Sequence, residues 1–234
     1  MFVDERCIGV DMKYGNLSEH QVELLLKHLE LVIEKNKVVN LTRIDDFESA
    51  KLLHIEDSLS ALPELNDCPE GLYGDLGSGA GYPGIPLAIA SGRKTVLVDA
   101  RKKKMDAVGE IVKQLGLSNQ IETYSGRAEL LARSRRSEFS ALTARALSKI
   151  SILMELASPL LKKGGRLICY KSHIDETEFE HALDIQNMLG MKEVSDREFE
   201  LGDEYARRIV VFEKVGESKI KLPRLEGQAQ KNPL

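Results

Sequence analysis

The chain has 234 residues, 42% of them hydrophobic and 30% charged, with a formal net charge of −4 and no tryptophan. That composition excludes a wholly disordered chain and a uniformly basic nucleic-acid binder, and the scarcity of aromatic residues argues against base recognition by exposed ring stacking. Three cysteines, Cys7, Cys68 and Cys169, show no metal-ligand or disulfide spacing, the N-terminus has no basic-then-apolar leader, and no run reaches the ~18 apolar residues of a membrane span, so a cytoplasmic protein with no metal and no membrane contact is expected.

Ser18 followed by Gln21 forms a capping-box pattern, and Val22, Leu25, Leu26, Leu29, Val32 and Ile33 then recur at helical spacing, which predicts a helix from about Glu19 to Lys35. A second helical stretch runs from Phe47 to about Ala61 and stops before Pro63. Residues 1–66 therefore read as an N-terminal helical extension. From Gly71 onward short apolar runs alternate with helical segments, the pattern of a parallel sheet with crossover helices. Strands are predicted at Leu72–Leu76, Thr95–Asp99, Ile121–Tyr124, Phe139–Ala144, Arg166–Tyr170, Glu193–Glu200 and Arg207–Glu213, with helices over Lys102–Leu115, Ile150–Leu161 and Glu176–Leu189. Residues 67–214 thus read as one doubly wound α/β domain. Beyond Lys214 the chain turns polar, with Pro223, Gly227 and Pro233 among basic residues, and residues 215–234 read as a flexible basic tail.

The segment from Asp75 to Ala88, DLGSGAGYPGIPLA, carries the strongest chemical signal. Gly77, Gly79 and Gly81 follow directly on the first strand, where residues without a Cβ let backbone N–H groups approach a ligand. Asp99 ends the second strand about 20 residues later, where a carboxylate can accept hydrogen bonds from ribose hydroxyls, or simply cap the helix that follows. Two cofactors compete for such a loop. Gly79, Gly81 and Gly84 form a literal G-x-G-x-x-G, which suggests NAD and an oxidoreductase, yet the tight turn begins earlier, at Gly77. Tyr82, Pro83 and Pro86 also crowd the helix start that a pyrophosphate would need. S-adenosyl-L-methionine has no phosphate and carries positive sulfonium and amino groups, which suit a carboxylate such as Asp75. The methyl donor is therefore the favoured ligand.

DLGSGAGYPGIPLA, together with NLT at Asn40 to Thr42, HIEDSL at His54 to Leu59, GRAE at Gly126 to Glu129, ARAL at Ala144 to Leu147 and the terminal PRLEGQAQKNPL, closely resembles the bacterial small-subunit rRNA methyltransferase G family, also called glucose-inhibited division protein B. The resemblance covers nearly the whole chain. It implies a class I, Rossmann-like, seven-stranded, mostly parallel methyltransferase fold and transfer of a methyl group from S-adenosyl-L-methionine to N7 of a guanine in the 530 loop of 16S rRNA, free or within the 30S particle. By position it implies that Gly77, Gly79, Gly81 and Tyr82 line the methionine and ribose side of the cofactor, with Asp99 on the ribose and Ala128 and Glu129 at the adenine. Arg145 would lie where cofactor and target base meet. Asn40, His54, Asp57, Arg127, Lys171 and Arg207 would surround the RNA. A monomer is expected. The chain departs from the family pattern at Ala107, Ser140, Ser172, Leu225 and Glu226.

Guanine N7 has a free lone pair and no proton, so such a reaction needs alignment and no general base. In keeping with this, the sequence has neither the [DNS]-P-P-[YFW] tetrapeptide of amino-group methyltransferases nor a Pro-Cys nucleophile. An NAD-dependent oxidoreductase and a non-enzymatic RNA-binding assembly factor of the same fold are the alternatives.

Overall fold

The computed structural model describes residues 17–44, 46–202 and 204–234; Cys7 and the N-terminal segment read for a leader lie outside them. Helix α1 (Glu19–Asn36) opens with the expected capping box, Gln21 N donating to Ser18 Oγ (3.3 Å) and Ser18 N to Gln21 Oε1 (2.9 Å). The second helical stretch is one continuous run made of α2 (Phe47–Ala50), a widened π-helical segment (Lys51–Glu56) and α3 (Asp57–Leu59), and it ends earlier than the sequence suggests. Helix α4 (Leu62–Asn66) follows, with Pro63 in its first turn, where a missing N–H costs nothing.

Strands β1 (Leu72–Leu76), β2 (Thr95–Asp99), β3 (Ile121–Ser125), β4 (Phe139–Arg145), β5 (Leu161–Lys171), β6 (Met191–Leu201) and β7 (Tyr205–Lys214) form one sheet in the order β3-β2-β1-β4-β5-β7-β6. All neighbours run parallel except where β7 enters antiparallel between β5 and β6. Crossover helices α5 (Gly84–Ser91), α6 (Lys102–Gln114), α7 (Ala128–Ser134), α8 (Ile150–Ala157) and α9 (Glu176–Ile185) cover both faces. The strands read as continuous apolar runs because each face is buried. Val96, Val98, Leu142, Ala144, Leu167, Cys169, Val210 and Phe212 pack in one core, whereas their alternates Leu97, Ala141, Ile168, Ile209 and Val211 pack on the other side. Residues of α1 share that second side with α5 and α6, so the described part of the N-terminal extension packs into the core of the sheet domain.

The tail departs from expectation. Residues 215–234 are packed: Leu222 and Ala229 are buried, and α10 (Gln228–Lys231) lies against α8. No helix among the described residues is long and apolar enough to cross a membrane.

Candidate functional site

Strand order reverses between β1 and β4, and in such sheets the crevice beyond the carboxyl ends of the strands at that point is where ligands bind. Two cavities open there. The first, of about 210 Å³, is lined by Leu76, Gly77, Val98, Asp99, Arg101, Gly126 to Glu129, Ala146, Leu147, Leu156 and Gln230. The second, of about 490 Å³, is lined by Leu53, His54, Asp57, Arg145, Ala146, Ser148, Tyr170 to His173 and Arg207. Ala146, directly after β4, belongs to both and holds φ +52°, a left-handed conformation that a non-glycine residue adopts rarely.

In the first cavity Gly77 has φ +75°, and a Cβ there would stand 2.8 Å from Leu147 Cδ1, so only glycine fits. Asp99 ties the loop to the next helix: its Oδ2 accepts from Gly79 N (3.1 Å) and its Oδ1 from Arg101 N (2.8 Å). Asp99 thus braces the turn before α6 while lining the cavity, but it does not cap that helix, whose N-cap is Arg101 and has no side-chain cap bond. Apolar Leu76, Val98, Leu147 and Leu156 beside two nearly buried carboxylates, Asp99 and Glu129, make a set that fits a nucleoside, a flat base on apolar walls with hydroxyls on an acceptor.

Several expected contacts lie elsewhere. Asp75 does not line the cavity: it is fully buried, accepting from Thr143 Oγ1 (2.8 Å) and Gly84 N (3.1 Å), and burial raises its pKa to about 6. Its carboxylate fixes the start of α5 from inside the core, which corrects its expected place against a cationic ligand. Gly81 also faces inward, where an added Cβ would meet Ile85 at 2.6 Å. Tyr82 is buried between two imidazoles, its ring 4.5 Å from His28 and stacked at 4.5 Å on His54. Arg127, expected on the RNA side, lines the first cavity.

The second cavity is dominated by an ion triad. Asp57 accepts from Arg145 Nη1 (2.6 Å) and from Arg207 Nε (2.7 Å), and Arg145 also donates to Leu53 O (3.0 Å) in the π-helical segment. Lys171 is held by Glu178 (2.6 Å) and Ser148 O (3.0 Å). His54 bonds Thr42 Oγ1 through Nε2 (2.9 Å), and burial, with the Arg145 charge behind it, lowers its pKa to about 4. The fold brings Arg145, His54, Asp57, Lys171 and Arg207 together on this one lining.

Asn40 stands apart, in a groove between α1 and α6 lined by Lys37, Arg43, Arg101 and Lys104 and, among the described residues, by no carboxylate. The turn there is pinned by Asn36, whose Oδ1 accepts from Leu41 N (2.8 Å) and Thr42 N (3.0 Å). This groove meets the first cavity at Arg101 and the second through the Thr42–His54 bond. Sequence reasoning missed Ala146, Leu147 and Gln230, which bear no motif of their own. The ARAL match at Ala144 to Leu147 pointed toward the first two and the terminal PRLEGQAQKNPL match contains Gln230, but neither match marked them as site residues.

Among solved structures, the chain is similar to an O-methyltransferase from Bacillus cereus in complex with SAH (TM-score 0.57, 17% identity, 80% of this chain and 91% of that one). It is also similar to a geranyl diphosphate methyltransferase in complex with SAM (TM-score 0.54, 10% identity, 68% and 84%). The fold is that of the class I S-adenosyl-L-methionine-dependent methyltransferases. Relatives named ribosomal RNA small subunit methyltransferase G share 35% identity in Lachnoclostridium phytofermentans (98% of this chain, 94% of the relative). The figures are 34% in Streptococcus sanguinis (93% and 93%) and 31% in Alkaliphilus metalliredigens (94% and 93%). The model of the family described as rRNA small subunit methyltransferase G matches residues 21–208, and the chain belongs to that family.

Proposed function

We infer that this chain transfers a methyl group from S-adenosyl-L-methionine to N7 of a guanine in the 530 loop of 16S rRNA. The observation that carries the choice of atom is that no free base stands beside Arg145 in the acceptor cavity, where the remaining described histidine of the lining, His173, is exposed to solvent. The one carboxylate among its described lining residues, Asp57, is held by two arginines, and His54, with a pKa near 4, is neutral and a weak base at neutral pH. Burial pushes the Cys169 thiol up to about 12, so it supplies no thiolate nucleophile. An acceptor that must lose a proton is poorly served here; a ring nitrogen with a free lone pair is well served.

The cofactor supplies a methyl group already activated on a positively charged sulfur. The first cavity would hold it, with Gly77 giving backbone approach, Asp99 accepting from the ribose hydroxyls and Ala128 and Glu129 bordering the adenine. Arg145, at the end of β4 beside Ala146, stands at the junction of the two cavities and presents donors toward the acceptor side, where guanine O6 or a phosphate can accept. The triad keeps its guanidinium in place, so the acceptor is aligned without reorganisation; orientation of this kind is worth ~7–11 kcal/mol of barrier. Because N7 faces the deep, narrow groove of an A-form duplex, the target must be presented in a loop. The groove of Lys37, Arg43, Arg101 and Lys104 offers the flanking backbone four cations, of which Arg101 is also within 3.7 Å of Asp99 Oδ1.

Short 530-loop RNAs test the atom directly. Labelled methyl groups should enter the natural sequence, and replacing the target guanine by 7-deazaguanine should abolish labelling; persistent labelling would move the reaction to another atom.

A further inference from the structure

The C-terminal segment lies beyond the residues matched by the family model, yet it reaches the cofactor cavity. Two buried carboxylates fasten it. Glu155 on α8, 3% exposed, takes Arg224 in a two-point grip (2.7 and 2.5 Å), and Glu129 on α7, 4% exposed, accepts from Gly227 N (2.7 Å). Among the described residues both carboxylates take their side-chain hydrogen bonds from the tail, so the walls of the cavity and the tail are tied to each other. Gly227 turns the chain with φ +71°, and a Cβ there would come within 3.5 Å of Arg127 Nη1. That turn starts α10 and brings Gln230 onto the cavity lining.

Gln230 is chemically distinct on that lining. The other polar side chains there are Asp99 and Glu129, which as carboxylates accept, and Arg101 and Arg127, which donate. Only the carboxamide of Gln230 does both, and among the described residues it makes no hydrogen bond to the protein. An adenine edge sets an amine donor beside a ring-nitrogen acceptor, the pair that a glutamine amide matches with two bonds at once. We propose that the C-terminal segment is the outer wall of the cofactor cavity and that Gln230 reads the adenine edge of the cofactor, a proposal that rests on the methyl-donor reading above. The tail then decides which nucleoside the cavity accepts.

Calorimetric titration of the full-length protein with S-adenosylhomocysteine, and with its counterpart carrying unsubstituted purine in place of adenine, tests this. The wild-type protein should prefer the adenine compound by about tenfold, in the range of one such paired contact. Gln230→Ala should lose about tenfold in affinity for the adenine compound and most of the preference, with an unchanged circular dichroism spectrum. Arg224→Ala, which frees the tail from α8, should weaken the same compound. Retained affinity and preference in Gln230→Ala would overturn the assignment of the reader, and retained affinity in Arg224→Ala would overturn the wall. A wild-type protein that binds neither compound would overturn the cofactor reading itself, and the proposal with it.

Discussion

At Gly77 the backbone must turn through φ +75° under the side chain of Leu147, so a β-branched residue meets both a backbone penalty of ~1–2 kcal/mol and a steric clash. Gly77→Val should reduce affinity for S-adenosylhomocysteine at least about tenfold by calorimetry; unchanged affinity would remove the loop from the cofactor site. Arg145→Ala should cut kcat more than stability, because Asp57 keeps Arg207 as a partner. A variant with lowered melting temperature but normal turnover would make Arg145 structural only. The stacked His28, Tyr82 and His54 set the response to acid. Burial lowers His28 to about 3 and His54 to about 4, so the unfolded chain takes up these protons near pH 6.5 while the folded chain refuses them until pH 3–4. Stability is therefore lost as pH falls from 6.5, by ~2 kcal/mol per histidine at pH 5. Asp75 opposes this, since its raised folded pKa of about 6 favours the folded state as pH falls from 6 to 3.8, but by ~1 kcal/mol at pH 5. Melting temperature should drop between pH 7 and pH 5, and His28→Phe should flatten the curve; a wild-type curve that rises toward pH 5 would contradict the buried neutral histidines.

Among the elements, the N-terminal helices are fastened to the sheet by Arg197 on β6, which bonds Glu64 on α4 (2.7 and 3.1 Å) and Ser60 O (2.7 Å). Arg197→Ala leaves Glu64 buried without its partner and should lower unfolding free energy in urea by about 3 kcal/mol; a loss under half of that would show the helices to be held by packing alone. The parallel strands and long crossover helices were legible in the sequence, because strands buried on both faces read as apolar runs and α1 and α6 keep a 3.6-residue period. Helix α7 was missed, having only seven residues. The tail was misread for a different reason. Its polar residues look solvated locally, but Arg224 and Gly227 find carboxylates 69 and 98 residues away, and no local pattern carries a pairing of that range. Asp75 fails likewise: strand position placed it near the ligand, while Thr143 on the neighbouring strand draws its carboxylate inward.

For the molecule as a whole, a net charge of −4 conceals a basic groove, lined among the described residues by Lys37, Arg43, Arg101 and Lys104, that joins both cavities. If this groove grips RNA backbone, binding should weaken steeply with salt, and Lys37→Ala with Arg43→Ala together should reduce the log–log salt slope by about 1.4 while leaving S-adenosylhomocysteine affinity alone. An unchanged slope would place the RNA elsewhere. The central claim joins cofactor, acceptor atom and substrate, and one measurement tests all three. 30S particles and 16S rRNA from a strain lacking the modification are incubated with the protein and S-adenosyl-L-methionine, then reduced with borohydride and treated with aniline, which cuts RNA at N7-methylguanine. The expected result is a single new cleavage, at a guanine in the 530 loop, that disappears with Gly77→Val; label found only on protein, or transfer to rRNA with no cleavage in that loop, would contradict the account.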